Sequence, residues 1–118
     1  MARILFLLVT GPENPTRAAL GLLVARTAAS EGHEVQVFLA GDAVDFARAE
    51  TAAAASGVGT GSVSEHLDAL AEAGAPLFLS GMSSKARGID ASVREGIELV
   101  QPQKLVELIA AAEKTVTF

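Results

Sequence analysis

An apolar stretch near the middle of the chain is followed abruptly by hydroxyl and cationic side chains. The sequence LFLSGMSSKARGI covers residues 77–89 and is typical of a buried strand that leads into a polar turn. Backbone amides at a helix start attract anions, and nearby cations add to that attraction. The stretch therefore predicts a small anion-binding site, and its candidate ligand-binding residues are Ser80, Gly81, Ser83, Ser84, Lys85 and Arg87.

A structural role for the same stretch is the competing interpretation. In that interpretation Ser83 caps a helix and the two cations are solvated. Catalysis by Ser80 would need a base within hydrogen-bond reach, and the chain offers only His33 and His66. His33 is predicted to be structural and His66 to face solvent or a neighbouring subunit. The sequence also lacks the G-x-S-x-G pattern around Ser80 that hydrolases use, so no catalytic residue is predicted.

The elements that must position these residues alternate between strands and helices. Continuous apolar runs predict buried strands, whereas N-cap residues, proline and glycine mark helix ends. The predicted strands are 3–9, 35–40, 76–79, 97–100 and 115–118. The predicted helical segments are 15–30, 43–55, 63–73, 83–95 and one from 102 that buries Leu105, Val106, Leu108 and Ile109. This order predicts a single α/β domain over residues 1–118, with a parallel sheet and helices on both faces.

In such a sheet, ligands bind beyond the carboxyl ends of the strands. Residues 10–16, 40–44 and 80–88 meet that description. Gly11 and Asn14 are predicted to line the pocket opposite Ser80, and Asn14 also fits as the cap of the first helix. In the first two segments Glu13 is a candidate acid, and Asp42 is a candidate cap or pocket residue.

Composition excludes several functions. The 118 residues carry a net charge of −5 and no Trp or Tyr, which argues against a nucleic-acid partner. No apolar run approaches the roughly 20 residues of a membrane span, and the run at residues 4–9 is short for a signal peptide, so a cytoplasmic protein is expected. The absence of cysteine excludes disulfides, thiolate metal sites and thiol redox chemistry.

No cofactor or metal is predicted. The glycine-rich residues 57–61 do not directly follow a strand, and their spacing fits neither the dinucleotide fingerprint nor the P-loop. They predict a mobile loop instead. Glu13 and Asp42 with one distant histidine lack the spacing of metal ligands.

Three separated segments resemble the DsrE/DsrF-like family, small α/β proteins of sulfur transfer. SGMSSKARGI is similar to the C-G-x-S-x-x-A-R-G motif of that family. VTGPENPTRAALGLLVARTAASEGHEVQVFLAGDAV resembles its opening βαβ unit, and LVELIAAAEKTVTF its closing helix and strand. The resemblance implies a DsrEFH-like three-layer α/β/α sandwich with a mostly parallel five-stranded sheet. It also implies a homo-oligomer, commonly a trimer or hexamer, and a place in sulfur relay or intracellular sulfur oxidation.

In active members of the family, the resemblance implies a reactive cysteine that carries persulfide sulfur, and that cysteine would fall at Ser80. A persulfide carrier needs a thiolate, which serine cannot provide. The expected function is therefore a non-catalytic, homo-oligomeric protein that binds a small anionic ligand or a partner protein at residues 80–88. A mean hydropathy of +0.39 favours self-association independently.

Two alternatives stay open. The first is a small-substrate enzyme that uses Ser80 or Glu13, although the missing cysteine argues against sulfur-transfer or peroxidase catalysis. The second is a structural subunit of a sulfur-relay hetero-oligomer in which a partner protein carries the cysteine.

Overall fold

The structure is organised around a parallel sheet. The computed structural model describes residues 1–90 and 93–118. In chain order its elements are β1 (Arg3–Leu8), α1 (Pro15–Ser30), β2 (Glu34–Leu39), a 3₁₀ helix (Gly41–Ala47), α2 (Ala49–Ala54), β3 (Ser56–Gly57), β4 (Gly61–Ser62), α3 (Val63–Glu72), β5 (Leu77–Ser80), α4 (Gly81–Ala86), β6 (Ile97–Val100), α5 (Pro102–Ala111) and β7 (Lys114–Thr117). The main sheet has five strands in the order β6-β5-β2-β1-β7, and each neighbouring pair is parallel.

Both faces of this sheet are covered, which explains why its central strands are continuously apolar. Leu5 and Phe6 are adjacent in β1 and point to opposite faces, yet both are at most 1% exposed. On one face the strands pack with α1, α3 and the 3₁₀ helix. On the other face, α5 is the helix that packs on the sheet within the described residues, through Leu108 on Leu5 and its neighbours. The predicted α/β/α sandwich with a five-stranded sheet is confirmed.

Local signals set the ends of two helices as predicted. The Asn14 side chain accepts a hydrogen bond from Arg17 N at 3.1 Å, and Pro15 occupies the first turn of α1. Ser62 Oγ accepts from Glu65 N at 3.4 Å at the start of α3. None of the helices in the described part of the chain is both long and apolar enough to span a lipid bilayer.

The helix predicted over residues 83–95 is wrong at both ends. α4 begins at Gly81 and ends at Ala86. Gly88 has a φ of +68° and its amide donates to Lys85 O, while the amide of Ile89 donates to Ser84 O. These two bonds form a Schellman motif, and burial of Ile89 accompanies it. Residues 91 and 92 of the predicted helix lie outside the described residues.

Residues 57–61 lie in a short hairpin rather than the mobile loop that was predicted. β3 and β4 pair antiparallel, and the turn between them is bound to α1. Thr16 Oγ1 accepts from Val58 N at 3.0 Å, and Thr16 O accepts from Thr60 Oγ1 at 3.1 Å. The hairpin therefore packs on the start of α1.

The buried stripe predicted for α5 is only half correct. Leu108 is 5% exposed and Leu105 packs against the same cluster, but Val106 is 65% and Ile109 44% exposed. α5 is the only helix that packs into this cluster within the described residues, so a narrow stripe of the helix is buried. Apolar spacing alone does not show how wide that stripe is.

We expect Leu108→Ala to lower the free energy of unfolding by about 2–3 kcal/mol, because it removes a buried side chain and leaves a cavity. Ile109→Ala on the same helix is the matched control and should change it by no more than about 0.5 kcal/mol. Urea unfolding followed by circular dichroism measures both. Equal losses would mean that Ile109 is buried in solution.

Candidate functional site

Within the described residues, the sheet topology favours the carboxyl ends of β5 and β6 as the position of a ligand-binding crevice. The connection after β5 leads through α4 to Ile89, which packs with α1 and α3. The connection after β6 leads into α5, which packs on the opposite face. Adjacent parallel strands whose connections leave on opposite faces flank a crevice where α/β proteins commonly bind ligands. The predicted site residue Ser80 ends β5 at this crevice.

Ser80 itself is the N-cap of α4. Its Oγ accepts a hydrogen bond from Ser83 N at 3.3 Å, which satisfies one of the free amides of the first turn. The interpretation in which Ser83 is the cap is therefore wrong. The hydroxyl of Ser80 has a structural task that a cysteine thiol would perform poorly, since sulfur is a weak acceptor.

Gln101 is a site residue that the sequence analysis missed. A Cβ built on Gly81 would lie 3.0 Å from Gln101 Nε2 and 3.1 Å from Val100 O, so Gly81 lets the end of β6 approach the start of α4. Gln101 follows the predicted strand 97–100 directly. The carboxyl-end rule that selected the other three segments would also have selected this one.

The two other serines of the stretch face inward. Ser83 Oγ accepts from Gly41 N at 3.1 Å and so joins α4 to the 3₁₀ helix. Ser84 is fully buried, and its Oγ has no hydrogen-bond partner among the described residues. The Ser84 hydroxyl is thus enclosed by the fold, whereas Ser83 is half-buried and its oxygen already accepts a hydrogen bond.

The cations of the stretch differ in their surroundings. Arg87 lies 2.6 Å from Asp42 Oδ1 and 3.5 Å from Asp45 Oδ1. Arg48 lies 3.6 Å from Asp45 and donates to Arg87 O at 2.8 Å. The four charges of this cluster cancel, and no ion pair is formed by the exposed Lys85 in the part of the chain that the structure describes.

This cluster lowers the attraction of the site for anions. Asp42 and Asp45 would compete with an incoming anion for the Arg87 guanidinium. Each pair is partly exposed, so it contributes under about 1 kcal/mol to stability, but together the pairs hold the end of α4 against the 3₁₀ helix.

The loop after β1 contacts this cluster through backbone packing. A Cβ on Gly11 would collide with the backbone oxygen of Asp42, so only glycine allows this approach. Glu13 Oε1 accepts from Gly11 N at 2.8 Å, and the Asn14 side chain is occupied as the cap of α1. Gly11 is therefore brought to the Ser80 stretch through Asp42 and Arg87, whereas Asn14 has a helix-capping role.

Neither histidine provides a base for Ser80. His33 lies at the amino end of β2, and its Nδ1 accepts from Ala2 N at 3.0 Å, which confirms a structural role. His66 was expected to face solvent or a neighbouring subunit, and this is wrong because it is only 4% exposed within its own chain. Its Nε2 lies 2.7 Å from Thr60 O and its Nδ1 3.4 Å from Arg26. The spacing of Val63, His66 and Leu70 on one helix face was the signal for this burial.

Comparison with known proteins gives a family and a fold. The model of the DsrE/DsrF-like family matches residues 2–118. The crystal structure of the ychN protein from E. coli aligns with a TM-score of 0.81 at 22% identity, over 100% of both chains. A conserved protein of unknown function from Bacteroides thetaiotaomicron, BT1422, aligns with a TM-score of 0.75 at 16% identity, over 99% of this chain and 95% of that one. The search of curated proteins found no match.

We expect Ser80→Ala to lower the free energy of unfolding by about 1 kcal/mol, because α4 loses its cap. Ser80→Thr keeps a capping hydroxyl, so its free energy of unfolding should fall by less than half as much as that of Ser80→Ala. Chemical unfolding of the two variants beside the wild type measures this difference. Equal stability of Ser80→Ala and the wild type would contradict the capping role.

We expect Gly11→Ala to lower the free energy of unfolding by about 3 kcal/mol, because its Cβ would meet a backbone carbonyl that cannot rotate away. Gly74→Ala is the control, since Gly74 has a positive φ but no atom within 4 Å of the new Cβ. The free energy of unfolding of that control should fall by only about 1 kcal/mol, because alanine at a positive φ strains the backbone. A smaller loss for Gly11→Ala than for Gly74→Ala, in thermal or urea unfolding, would contradict the close approach to Asp42.

Proposed function

The chain belongs to the DsrE/DsrF-like family, and we propose that within that family it is a homo-oligomeric binding protein that performs no catalysis. Its ligand is a partner protein that docks on the rim made by residues 80–88. The observation that carries this proposal is the position of Ser80, whose hydroxyl caps α4 where the family motif has its cysteine. The residues around this position resemble the family motif, but the cysteine sulfur that would carry the persulfide is absent.

The surroundings of Ser80 support the absence of catalysis. A serine nucleophile needs a general base that accepts its proton. His33 lies at the opposite end of the sheet, and His66 is buried against Thr60. Glu13, the other candidate, accepts a hydrogen bond from Gly11 N. The side chains named as possible bases therefore have structural partners.

The charges of the rim favour a protein over a small anion. Arg87 is already paired with two carboxylates, so a free anion would gain mainly from Lys85. Met82 is 65% exposed beside that lysine, and methionine is enriched where proteins bind one another. A partner with an apolar side chain and a carboxylate would match Met82 and Lys85 together.

The family resemblance supports the remaining parts of the proposal. It implies self-association as a trimer or hexamer, and a cytoplasmic setting beside sulfur-relay proteins. A partner that supplies the missing cysteine would make this chain the structural subunit of a mixed assembly.

Native mass spectrometry of the protein purified from its own host tests the proposal. We expect a homo-oligomer with a second chain bound to the wild type. The double variant Met82→Asp with Lys85→Glu should lose that chain. Val106→Asp on α5 is the control, because Val106 and Met82 are both 65% exposed, and it should keep the chain. A retained small anion in place of a second chain would overturn the docking role, and a lone monomer would also overturn self-association.

A cysteine returned to the family position should regain sulfur chemistry. In Ser80→Cys a thiolate at the cap of α4 would attack the outer sulfur of an alkyl persulfide. The new S–S bond forms as the old one breaks, and the donor leaves as its thiolate. We expect one added sulfur atom by mass spectrometry, about tenfold faster than in Ser83→Cys. Equal rates of sulfur transfer to the two cysteines would mean that position 80 gives a thiolate no advantage over position 83.

The enzyme alternative has its own test. A fluorophosphonate reagent forms a covalent bond with a serine that is activated by a base. We expect no labelling of Ser80 in the wild-type protein, as judged by peptide mass spectrometry. Labelling of the wild type that is abolished in Ser80→Ala would favour a serine enzyme.

A further inference from the structure

Helix α1 exposes two large apolar residues, Leu20 and Val24, on its outer face. Its inner face packs on the sheet through Ala18, Ala19, Leu22 and Ala25. On the outer surface, a stripe of exposed residues follows the alternating spacing of three and four positions that is found in coiled-coil seams. This outer stripe consists of Arg17, Leu20, Val24, Thr27 and Glu31.

An apolar cleft lies directly beside the outer stripe. It has a volume of about 680 Å³ and lies between α1 and the edge strand β7. Its apolar walls include Ile4, Phe6, Leu23, Val24, Ala28 and Val116. Exposed apolar residues that adjoin an apolar cleft form a larger apolar patch, and such patches mark interaction sites. Leu20 and Val24, each 39% exposed, are the apolar residues of the stripe that remain to be covered.

The charges at the two ends of the stripe oppose the helix dipole. Arg17 lies in the first turn, where negative charge is favoured, and Glu31 is the C-cap residue, where positive charge is favoured. Neither side chain forms an ion pair within the described residues. Since an isolated chain gains nothing from this arrangement, the two charges suit a contact with another molecule.

Of the parallel and antiparallel arrangements of two stripes, the antiparallel one brings opposite charges together at both ends. Arg17 and Glu31 are equally distant in sequence from Val24. If two α1 helices pack antiparallel about a twofold axis at Val24, each Arg17 faces the partner subunit's Glu31. A parallel pair would instead set like charges beside each other. In the antiparallel pair Leu20 faces the partner subunit's Ala28, on the wall of the cleft.

We propose that two copies of this chain associate through the outer stripe of α1, antiparallel about a twofold axis at Val24. This inference rests on the self-association in the proposed function and identifies the surface that produces it. In a larger assembly, the same contact would join the subunits in pairs.

Sedimentation velocity of the purified protein tests the surface. We expect Val24→Glu to raise the dissociation constant of the pair at least about a hundredfold, because two carboxylates would meet on the axis without partners. If the wild type is a hexamer, Val24→Glu should halve the number of subunits in each particle. Val106→Glu is the matched control, since Val106 is 65% exposed and lies on α5, on the opposite face of the sheet from α1, and it should leave the subunit number unchanged. Circular dichroism confirms that both variants are folded.

Charge reversal tests the orientation. We expect Arg17→Glu and Glu31→Arg each to raise the dissociation constant about tenfold, because each replaces attraction by repulsion at both ends of the pair. The double variant restores opposite charges and should return to within about threefold of the wild type. Each single variant agrees better with the helix dipole, so neither should lower the melting temperature of the monomer.

The outcomes separate this inference from the proposed function. A wild type that is monomeric at all concentrations overturns both. A wild-type oligomer that Val24→Glu leaves intact overturns the α1 surface and leaves self-association in place. A double charge variant that is as weak as the singles overturns the antiparallel orientation.

Discussion

Parallel pairing of the strands is the constraint on which the rest of this structure depends. Parallel strands cannot be joined by tight turns, so each connection must cross the sheet and return, usually as a helix. The carboxyl ends of β1, β2, β5 and β6 therefore lie along the same edge of the sheet. Loops separated by tens of residues meet there, and close backbone approaches such as that of Gly11 to Asp42 become necessary.

Within that edge, the polar residues of the Ser80 stretch stabilise one another. One hydroxyl caps a helix, another receives a hydrogen bond from the 3₁₀ helix, and Arg87 is held by two carboxylates. These contacts explain how the stretch keeps its conformation with serine at position 80. Most of its residues hold the loop in place, and only one position would carry the sulfur.

The two helical layers of the sandwich leave different surfaces. α1 is buried along its inner face and exposes Leu20 and Val24 on its outer stripe, which we propose is the contact with another copy of the chain. α5 packs through a narrow stripe around Leu108, and Val106 and Ile109 remain exposed. Subunits can therefore associate by burying the exposed apolar residues of these helices, and every side chain of the core stays in place.

Most of the elements and the family could be predicted from the amino-acid sequence, because they depend on local patterns. Apolar runs marked the strands, and Asn14 with Pro15 and Ser62 with Glu65 marked helix starts. The spacing within SGMSSKARGI marked the site. The Gly88 stop of α4 was also local, and the prediction of a longer helix overlooked it.

Only the tertiary structure decided which side chains meet. The pairing of Arg87 with Asp42, the burial of His66 and the approach of Gln101 to Gly81 each join segments that are distant in sequence or depend on a neighbouring element. The exposure of Val106 likewise depends on how α5 packs on its face of the sheet. Burial and partnership follow from how elements stack, and residue spacing along one element does not contain that information.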